Sequence, residues 1–197
     1  MKVTIMKKII LYTLLTLAHL SADTLIVGGG ESGSYSKVQD AINAASDGDT
    51  VFINAGTYIE TVSNTKDIAI IGSGMGVTLI YSASSPTLFS RNGILKNLSV
   101  QTTSTRAGEI NGGVTVYNCE FIGSCTGSSS CTALYAQNGN TVYNSILRDS
   151  YYGLSGGKAF NCILYNNTYG FSGLEIQNSI LYNNAYGLNN TGGLHVY

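Results

Sequence analysis

The spacing of apolar and polar residues predicts one short helix and several short strands in the first half of the chain. One apolar face recurs at helical spacing over residues 37–45, at Val38, Ala41, Ile42 and Ala45. Ser36 followed by Gln39 fits a capping box at the start of this helix. The runs "TVFI", Ile68–Ile71 and Val77–Tyr81, separated by Gly-, Asn- and Asp-rich turns, predict strands.

The second half of the chain repeats one short unit. The segments "LKNLSV", "VYNCEF", "VYNSIL", "AFNCIL" and "IQNSIL" align on asparagines at positions 97, 118, 144, 161 and 178, so the intervals are 21, 26, 17 and 17 residues. A unit this short cannot bury its own apolar side chains, whereas stacked units can. The repetition therefore predicts a solenoid of stacked coils, with an insertion in the 26-residue interval.

The first coils resemble a known family. The predicted helix, followed by "DGDTVFINAGTYIETV" and "DIAIIGSGMGVTLIYS", is similar to the start of pectin methylesterases and of the wider pectate-lyase-like proteins, over about residues 36–101. The resemblance implies that the helix caps the first coil. We predict an all-β fold, a single-stranded right-handed parallel β-helix with a short N-terminal capping helix. Its one domain covers residues 23–197, with the cap helix and first coils at 36–101 and short-repeat coils at 102–197.

The register of the strands decides which side chains reach solvent. Because an unpaired Glu120 is costly to bury, its neighbours Cys119 and Phe121 should face the core. The same register places an outward stripe at Ile146, Ile163 and Ile180. A bulge after Glu120 would instead bury these isoleucines, and the sequence leaves both alternatives open.

Stacking also places like residues in rows, as in cross-β structures. The tyrosines form the rows Tyr152–Tyr169–Tyr186 and Tyr165–Tyr182, which could contact sugar rings or pack on one another. The final "LHVY" resembles the start of another coil, and an unpaired strand edge invites pairing with a second chain. Either subunits stack head to tail or the sequence is a fragment. The candidate contact residues for self-association or a glycan are these tyrosines, the isoleucine stripe, Val196 and Tyr197.

Residues 1–22 have the features of a secretory signal peptide. A basic start precedes the apolar run "IILYTLLTLAHL", which is too short to span a bilayer, and small residues follow. We therefore expect a secreted protein, extracellular or at the cell surface, whose mature chain has no membrane span. In an oxidising compartment Cys125 and Cys131 could form a disulfide. Cys119 and Cys162 lie two repeats apart, about 10 Å at strand spacing, which is too far for a disulfide.

Composition argues against several classes of function. The net charge is −1 and only 11% of residues are charged, which disfavours nucleic-acid binding. The glycines of "GGGESG" match a dinucleotide-binding spacing, but the helix begins too late and no βαβ series follows, so we predict no cofactor. The spacing of the cysteines from a distant His195 matches no usual metal site, so we predict no metal.

The resemblance implies enzymes that act on acidic polysaccharides. Pectin methylesterases use two aspartates and an arginine on successive coils with nearby glutamines, and pectate lyases hold calcium with aspartates. Here the segment "TALYAQNGNTVYNS" offers Gln137 but no Asp, and Arg148–Asp149 reads as a solvated turn pair, so we assign no catalytic residue. We favour a non-catalytic structural protein that self-associates or contacts a glycan. The alternative is a polysaccharide-active enzyme of the pectin methylesterase or pectate lyase type, or a truncated form of one.

Overall fold

The fold was analysed in a computed structural model, which describes residues 22–30, 32–125, 128–189 and 195–196. The predicted signal peptide, apart from Ala22, lies outside the described residues, and so does Tyr197. Val196 is described by its backbone alone.

Short strands make up most of the chain. In chain order the elements are β1 (Thr24–Val27), α1 (Val38–Ala44), β2 (Thr50–Ile53), β3 (Gly56–Ile59), β4 (Val62–Asn64), β5 (Ala69–Gly72), β6 (Thr78–Ser82), β7 (Leu88–Lys96), β8 (Ser99–Thr102), β9 (Arg106–Tyr117), β10 (Glu120–Gly123), β11 (Thr132–Tyr143), β12 (Ile146–Arg148), β13 (Tyr152–Phe160), β14 (Ile163–Tyr165), β15 (Tyr169–Ser172), β16 (Glu175–Gln177), β17 (Ile180–Tyr182), β18 (Tyr186–Leu188) and β19 (His195–Val196).

The strands stack into two parallel sheets. The larger sheet has the order β1-β2-β5-β7-β9-β11-β13-β15-β18, with β4, β16 and β19 paired beside this path. The smaller sheet has the order β17-β14-β12-β10-β8-β6-β3. Each coil contributes strands to both sheets and returns one strand spacing further along the axis. The predicted right-handed parallel β-helix is confirmed.

The core is a column of apolar side chains between the sheets. In the smaller sheet the inward row passes through Val100, Phe121, Leu147 and Leu164, and all four are fully buried. Cys119 is buried as well, so the inward register predicted around Glu120 is the one the structure adopts. Stacked coils thus bury apolar area that no single coil could bury alone.

The repeated asparagine has a conformational role. Asn97, Asn118, Asn144, Asn161 and Asn178 all adopt positive φ, between 49° and 57°. Asparagine tolerates this left-handed conformation better than most residues, so it turns the chain between the larger and smaller sheets. The side chains also form a row on the surface: Asn118 Nδ2 donates to Asn97 Oδ1 over 3.3 Å, and Asn161 Nδ2 donates to Asn144 Oδ1 over 3.3 Å.

The capping helix is held by a distant residue. Lys37 is the N-cap and makes no side-chain capping bond, so the capping box predicted from Ser36 and Gln39 is wrong. Glu60, just after β3, accepts hydrogen bonds from the Val38 and Gln39 amides at 2.9 and 3.1 Å. A carboxylate thus satisfies the first helical N–H groups where the helix dipole favours negative charge.

The insertion in the 26-residue interval is closed by a disulfide. Cys125 and Cys131 are bonded, with their Cα atoms 5.7 Å apart. Cys119 and Cys162 are free and buried. Ser145 lies between them in the stack, where its Oγ accepts a hydrogen bond from the Cys119 amide over 3.1 Å.

Candidate functional site

The isoleucine stripe lies on the outer surface of the smaller sheet. Ile146, Ile163 and Ile180 are in register on β12, β14 and β17. The first two are half-buried, whereas Ile180 is 58% exposed. The structure therefore has the outward register and not the bulge that would bury the stripe.

The tyrosine rows pack on themselves. In the row Tyr152–Tyr169–Tyr186, ring centroids lie 5.3 and 4.9 Å apart in stacked geometry. Tyr165 and Tyr182 are stacked at 4.9 Å. Because neighbouring rings already cover each other's faces, the edges and hydroxyl groups are what most of these side chains present to solvent.

A polar groove follows the turns that lead from the smaller sheet to the larger one. We call it the amide groove; its volume is about 890 Å³. Its central feature is a polar residue at the same position on three successive coils, namely Asp149, Asn166 and Asn183. Tyr151, Thr168 and the disulfide loop also line it. The lining residues are Cys125, Ser128, Ser129, Asp149, Ser150, Tyr151, Asn166, Asn167, Thr168, Asn183 and Ala185.

The groove residues form two parallel amide rows, one exposed and one buried. In the exposed row Asn166 Nδ2 donates to Asp149 Oδ1 over 3.1 Å, and Asn183 Nδ2 donates to Asn166 Oδ1. All three have positive φ, like the asparagines of the other turn. In the buried row Asn167 Oδ1 accepts from Ser150 Oγ over 2.7 Å, and Asn167 Nδ2 donates to Asn184 Oδ1 over 3.1 Å.

The exposed amides share one orientation. Each nitrogen points toward the preceding coil, and the row ends at the Asp149 carboxylate, which accepts the hydrogen bond from Asn166. The tyrosine row borders the same groove: the Tyr151 ring meets Tyr152 and Tyr169 edge-on, at 5.0 and 5.4 Å. The groove thus offers amide, hydroxyl and carboxylate groups at a regular spacing.

A charged cluster lies at one end of the groove. Arg148 Nε donates to Glu120 Oε1 over 2.8 Å, and Arg148 Nη1 donates to Asp149 Oδ2. Ser99 Oγ donates to the other Glu120 oxygen over 2.9 Å. Partial burial acts to lower the pKa of Arg148, but the hydrogen bonds that Arg148 donates to Glu120 and Asp149 outweigh it and raise that pKa.

This cluster corrects one sequence expectation. Arg148 and Asp149 are not a freely solvated turn pair, because the guanidinium is half-buried and also bound to Glu120 on the preceding coil. The sequence signal for this contact was the spacing of Glu120 and Arg148. They lie 28 residues apart, which is close to the 26-residue length of the coil that contains the insertion. Gln137 lies on β11, away from this cluster in sequence and sheet.

In the part of the chain that the structure describes, no group of three His, Cys, Asp or Glu side chains could hold a metal ion. No helix among the described residues has the length and apolar character needed to cross a bilayer. The helix α1 begins at Val38, five positions after Gly33, so the glycine-rich segment does not form its first turn.

Comparisons with known proteins give a fold relationship. No protein-family profile and no curated protein sequence matches the chain. Among solved structures, pectin methylesterase PemA from Erwinia chrysanthemi aligns with a TM-score of 0.65 at 12% identity, over 82% of this chain and 67% of that one. A pectin methylesterase in complex with hexasaccharide VII aligns with a TM-score of 0.65 at 12% identity, over 87% and 68%. The Aspergillus niger pectin methylesterase aligns with a TM-score of 0.56 at 16% identity, over 88% and 83%.

These alignments define the fold. The chain has the same right-handed parallel β-helix fold as these pectin methylesterases, as the resemblance of its first coils predicted. In a further alignment, with a pectin methylesterase mutant bound to a hexasaccharide, it spans 66% of that chain's length. At 12–16% identity, the likeness extends to the fold and not to the activity.

Proposed function

We propose that the protein binds a linear polysaccharide in the amide groove, outside the cell. The observation that carries this proposal is the row Asp149–Asn166–Asn183, which presents the same polar position on three successive coils along one open groove. A polymer lying parallel to the solenoid axis would meet equivalent groups at each coil, about 4.8 Å apart. Repeated weak contacts along such a row add to a useful affinity.

The chemistry of the groove suits sugar hydroxyl groups. Amide oxygens accept and amide nitrogens donate hydrogen bonds, while the Tyr151 and Thr168 hydroxyl groups can do both. The exposed edge of the Tyr152–Tyr169–Tyr186 row offers apolar C–H surface beside them. The fold adds support, because two of the aligned pectin methylesterases were solved with hexasaccharides bound. The disulfide between Cys125 and Cys131 is typical of exported proteins and supports an extracellular setting.

The test is binding to soluble polysaccharides by calorimetry, with methylated pectin, polygalacturonate and a neutral glucan. The groove variant is Asn166→Gly with Asn183→Gly, because glycine keeps the positive φ at both turns. The matched control is Asn144→Gly with Asn161→Gly, the same substitutions in the row on the other turn. We expect the groove variant to bind at least tenfold more weakly and the control to bind like wild type. Equal affinity for all three proteins would refute the groove as the binding site.

A second candidate function is catalysis on such a polymer, and the charged cluster is the observation that favours it. Glu120, Arg148 and Asp149 place two carboxylates and an arginine on successive coils, with Asp149 lining the groove. The family resemblance implies two aspartates and an arginine for ester hydrolysis, and this cluster differs in having a glutamate, Glu120, as one of its two acids. Methanol and reducing ends released from pectin would be measured for wild type and Asp149→Asn. Turnover that Asp149→Asn abolishes would favour the enzyme; binding without turnover would favour the non-catalytic protein.

A further inference from the structure

The outer face of the smaller sheet carries a symmetric pattern of side chains. One outward column runs through all seven strands of that sheet, with each residue in register with the next. In chain order the column reads Ile59, Tyr81, Gln101, Ile122, Arg148, Tyr165 and Tyr182. Ile122 is the middle member. On each side of it comes first a polar residue (Gln101 or Arg148), then a tyrosine (Tyr81 or Tyr165), and last a large apolar or aromatic residue (Ile59 or Tyr182).

Exposure follows the same symmetry. Ile59 is 78% exposed at one end and Tyr182 is 49% exposed at the other, whereas Ile122 in the middle is 8% exposed. Ile59 and Tyr182 lie on the two edge strands of the sheet, so each end of the face offers a large side chain to a partner. The neighbouring outward column adds apolar area, since Leu79 lies near one end and Ile163 near the other.

A two-fold rotation about an axis parallel to the strands at Ile122 makes this face complementary to itself. The rotation reverses the order of the coils and keeps each residue in its column. Ile59 of one copy then faces Tyr182 of the second copy, Tyr81 faces Tyr165, and Leu79 in the next column faces Ile163. An interface of this kind is isologous, with the same patch used by both subunits.

The polar members of the column also match under this rotation. Gln101 of one copy faces Arg148 of the second copy. Gln101 Nε2 donates to Ser124 Oγ over 3.1 Å, which leaves its carbonyl oxygen as an acceptor. Arg148 uses Nε and Nη1 for Glu120 and Asp149, so the hydrogens on Nη2 remain to donate. This column thus pairs apolar or aromatic side chains with one another and a donor with an acceptor.

In the next column the same rotation sets Glu120, already bound by Arg148 and Ser99 of its own chain, opposite Glu120 of the second copy. There Ile146 and Ile180 meet Ser99 and Thr57.

We propose that the chain forms a closed, antiparallel two-fold dimer through this face of the smaller sheet. The symmetry of the column argues for a closed dimer over head-to-tail stacking, which would use opposite ends of the solenoid. Seven strands extend about 29 Å along the axis, and two columns of side chains make a narrow patch. A patch of that size is smaller than a typical specific interface, so we expect a weak dimer that forms only at high micromolar concentrations or above.

Sedimentation velocity of the purified chain over a hundredfold range of concentration tests the dimer. Ile59→Glu and Tyr182→Lys, at opposite ends of the sheet, are each expected to weaken dimerisation at least tenfold. The double variant is expected to recover most of it, because the new charges of opposite sign would meet across the interface. Ile94→Glu, on the larger sheet at 41% exposure, is the matched control and should dimerise like wild type.

The outcomes separate the alternatives. A monomer at all concentrations, or species that grow beyond a dimer, would overturn the proposal. A double variant no better than the single ones would overturn the antiparallel pairing, since Ile59 and Tyr182 would then not meet. Circular dichroism of each variant checks that the fold is retained. The groove substitutions described above lie on the turns, so glycan binding and dimerisation can fail independently.

Discussion

Replacing Asn167 by alanine should destabilise the solenoid more than any nearby surface change. Asn167 is 4% exposed and its side chain crosses two coil boundaries. Its Oδ1 accepts from the Ser150 amide and hydroxyl at 3.2 and 2.7 Å. Its Nδ2 donates to the Leu147 carbonyl and to Asn184 Oδ1, both at 3.1 Å.

The magnitude follows from these contacts. Each hydrogen bond contributes about 1 kcal/mol net, and a buried group left without a partner costs about 1–3 kcal/mol. Asn167→Ala removes four bonds and leaves the Ser150 N–H without its acceptor. We therefore expect a loss of about 4 kcal/mol in the free energy of unfolding, provided that water cannot enter the space left behind.

Urea unfolding followed by circular dichroism measures this loss. With a slope near 2 kcal/mol per molar urea, the midpoint should fall by about 2 M. Asn166→Gly is the matched control, because Asn166 is the adjacent residue, is exposed and already has a positive φ that glycine accepts. We expect that control to lose less than about 1 kcal/mol. Equal losses for the two variants would refute the view that the buried amide row holds the coils together.

Four further predictions test other parts of the structure. Burial raises the pKa of Cys119 to about 12 and that of Cys162 to about 11, so neither thiol should react with a thiol reagent at pH 8 until the protein is unfolded, and rapid native labelling would contradict this. Because both folded pKa values lie above the ordinary value of 9.0, the native state binds more protons there, so the melting temperature should fall as the pH rises above about 9. Glu60→Ala removes two helix-capping bonds and should cost about 2 kcal/mol in thermal unfolding, with Glu60→Gln intermediate; no change would mean that water caps the helix equally well. Gly153→Ala would place a Cβ 2.5 Å from the carbonyl oxygen of the glycine one coil on, and should cost about 3 kcal/mol, whereas Gly113→Ala meets open space and should be neutral.

The sequence predicted the features that recur at the coil interval. The asparagine spacing gave the stacking, and one costly residue, Glu120, was enough to orient the strands around Cys119 and Phe121. The tyrosine rows followed from the same interval. Periodicity is informative here because each coil pairs in register with the next, so a residue's position in the repeat fixes its position in space.

Contacts made by residues outside the repeat could not be predicted in this way. Glu60 caps a helix that begins 22 residues earlier, and no local pattern links the two. The buried row of Asn167 was hidden because an asparagine in a turn normally points to solvent. Asn167 can instead point inward because Gly153 has no side chain, and a Cβ at that position would collide with the Asn167 amide nitrogen.

The departures from the repeat are where the candidate chemistry lies. Glu120 occupies the position that Ile146 holds one coil on, and Arg148 occupies the position that Tyr165 holds one coil on. Asp149 stands where the next coils place an asparagine. Arg148 contacts both acids, and each of the three charges would be costly alone, since an isolated half-buried charge has no partner in an apolar or amide row. They are therefore best understood as one unit, a charged cluster that interrupts the apolar and amide rows at the end of the groove.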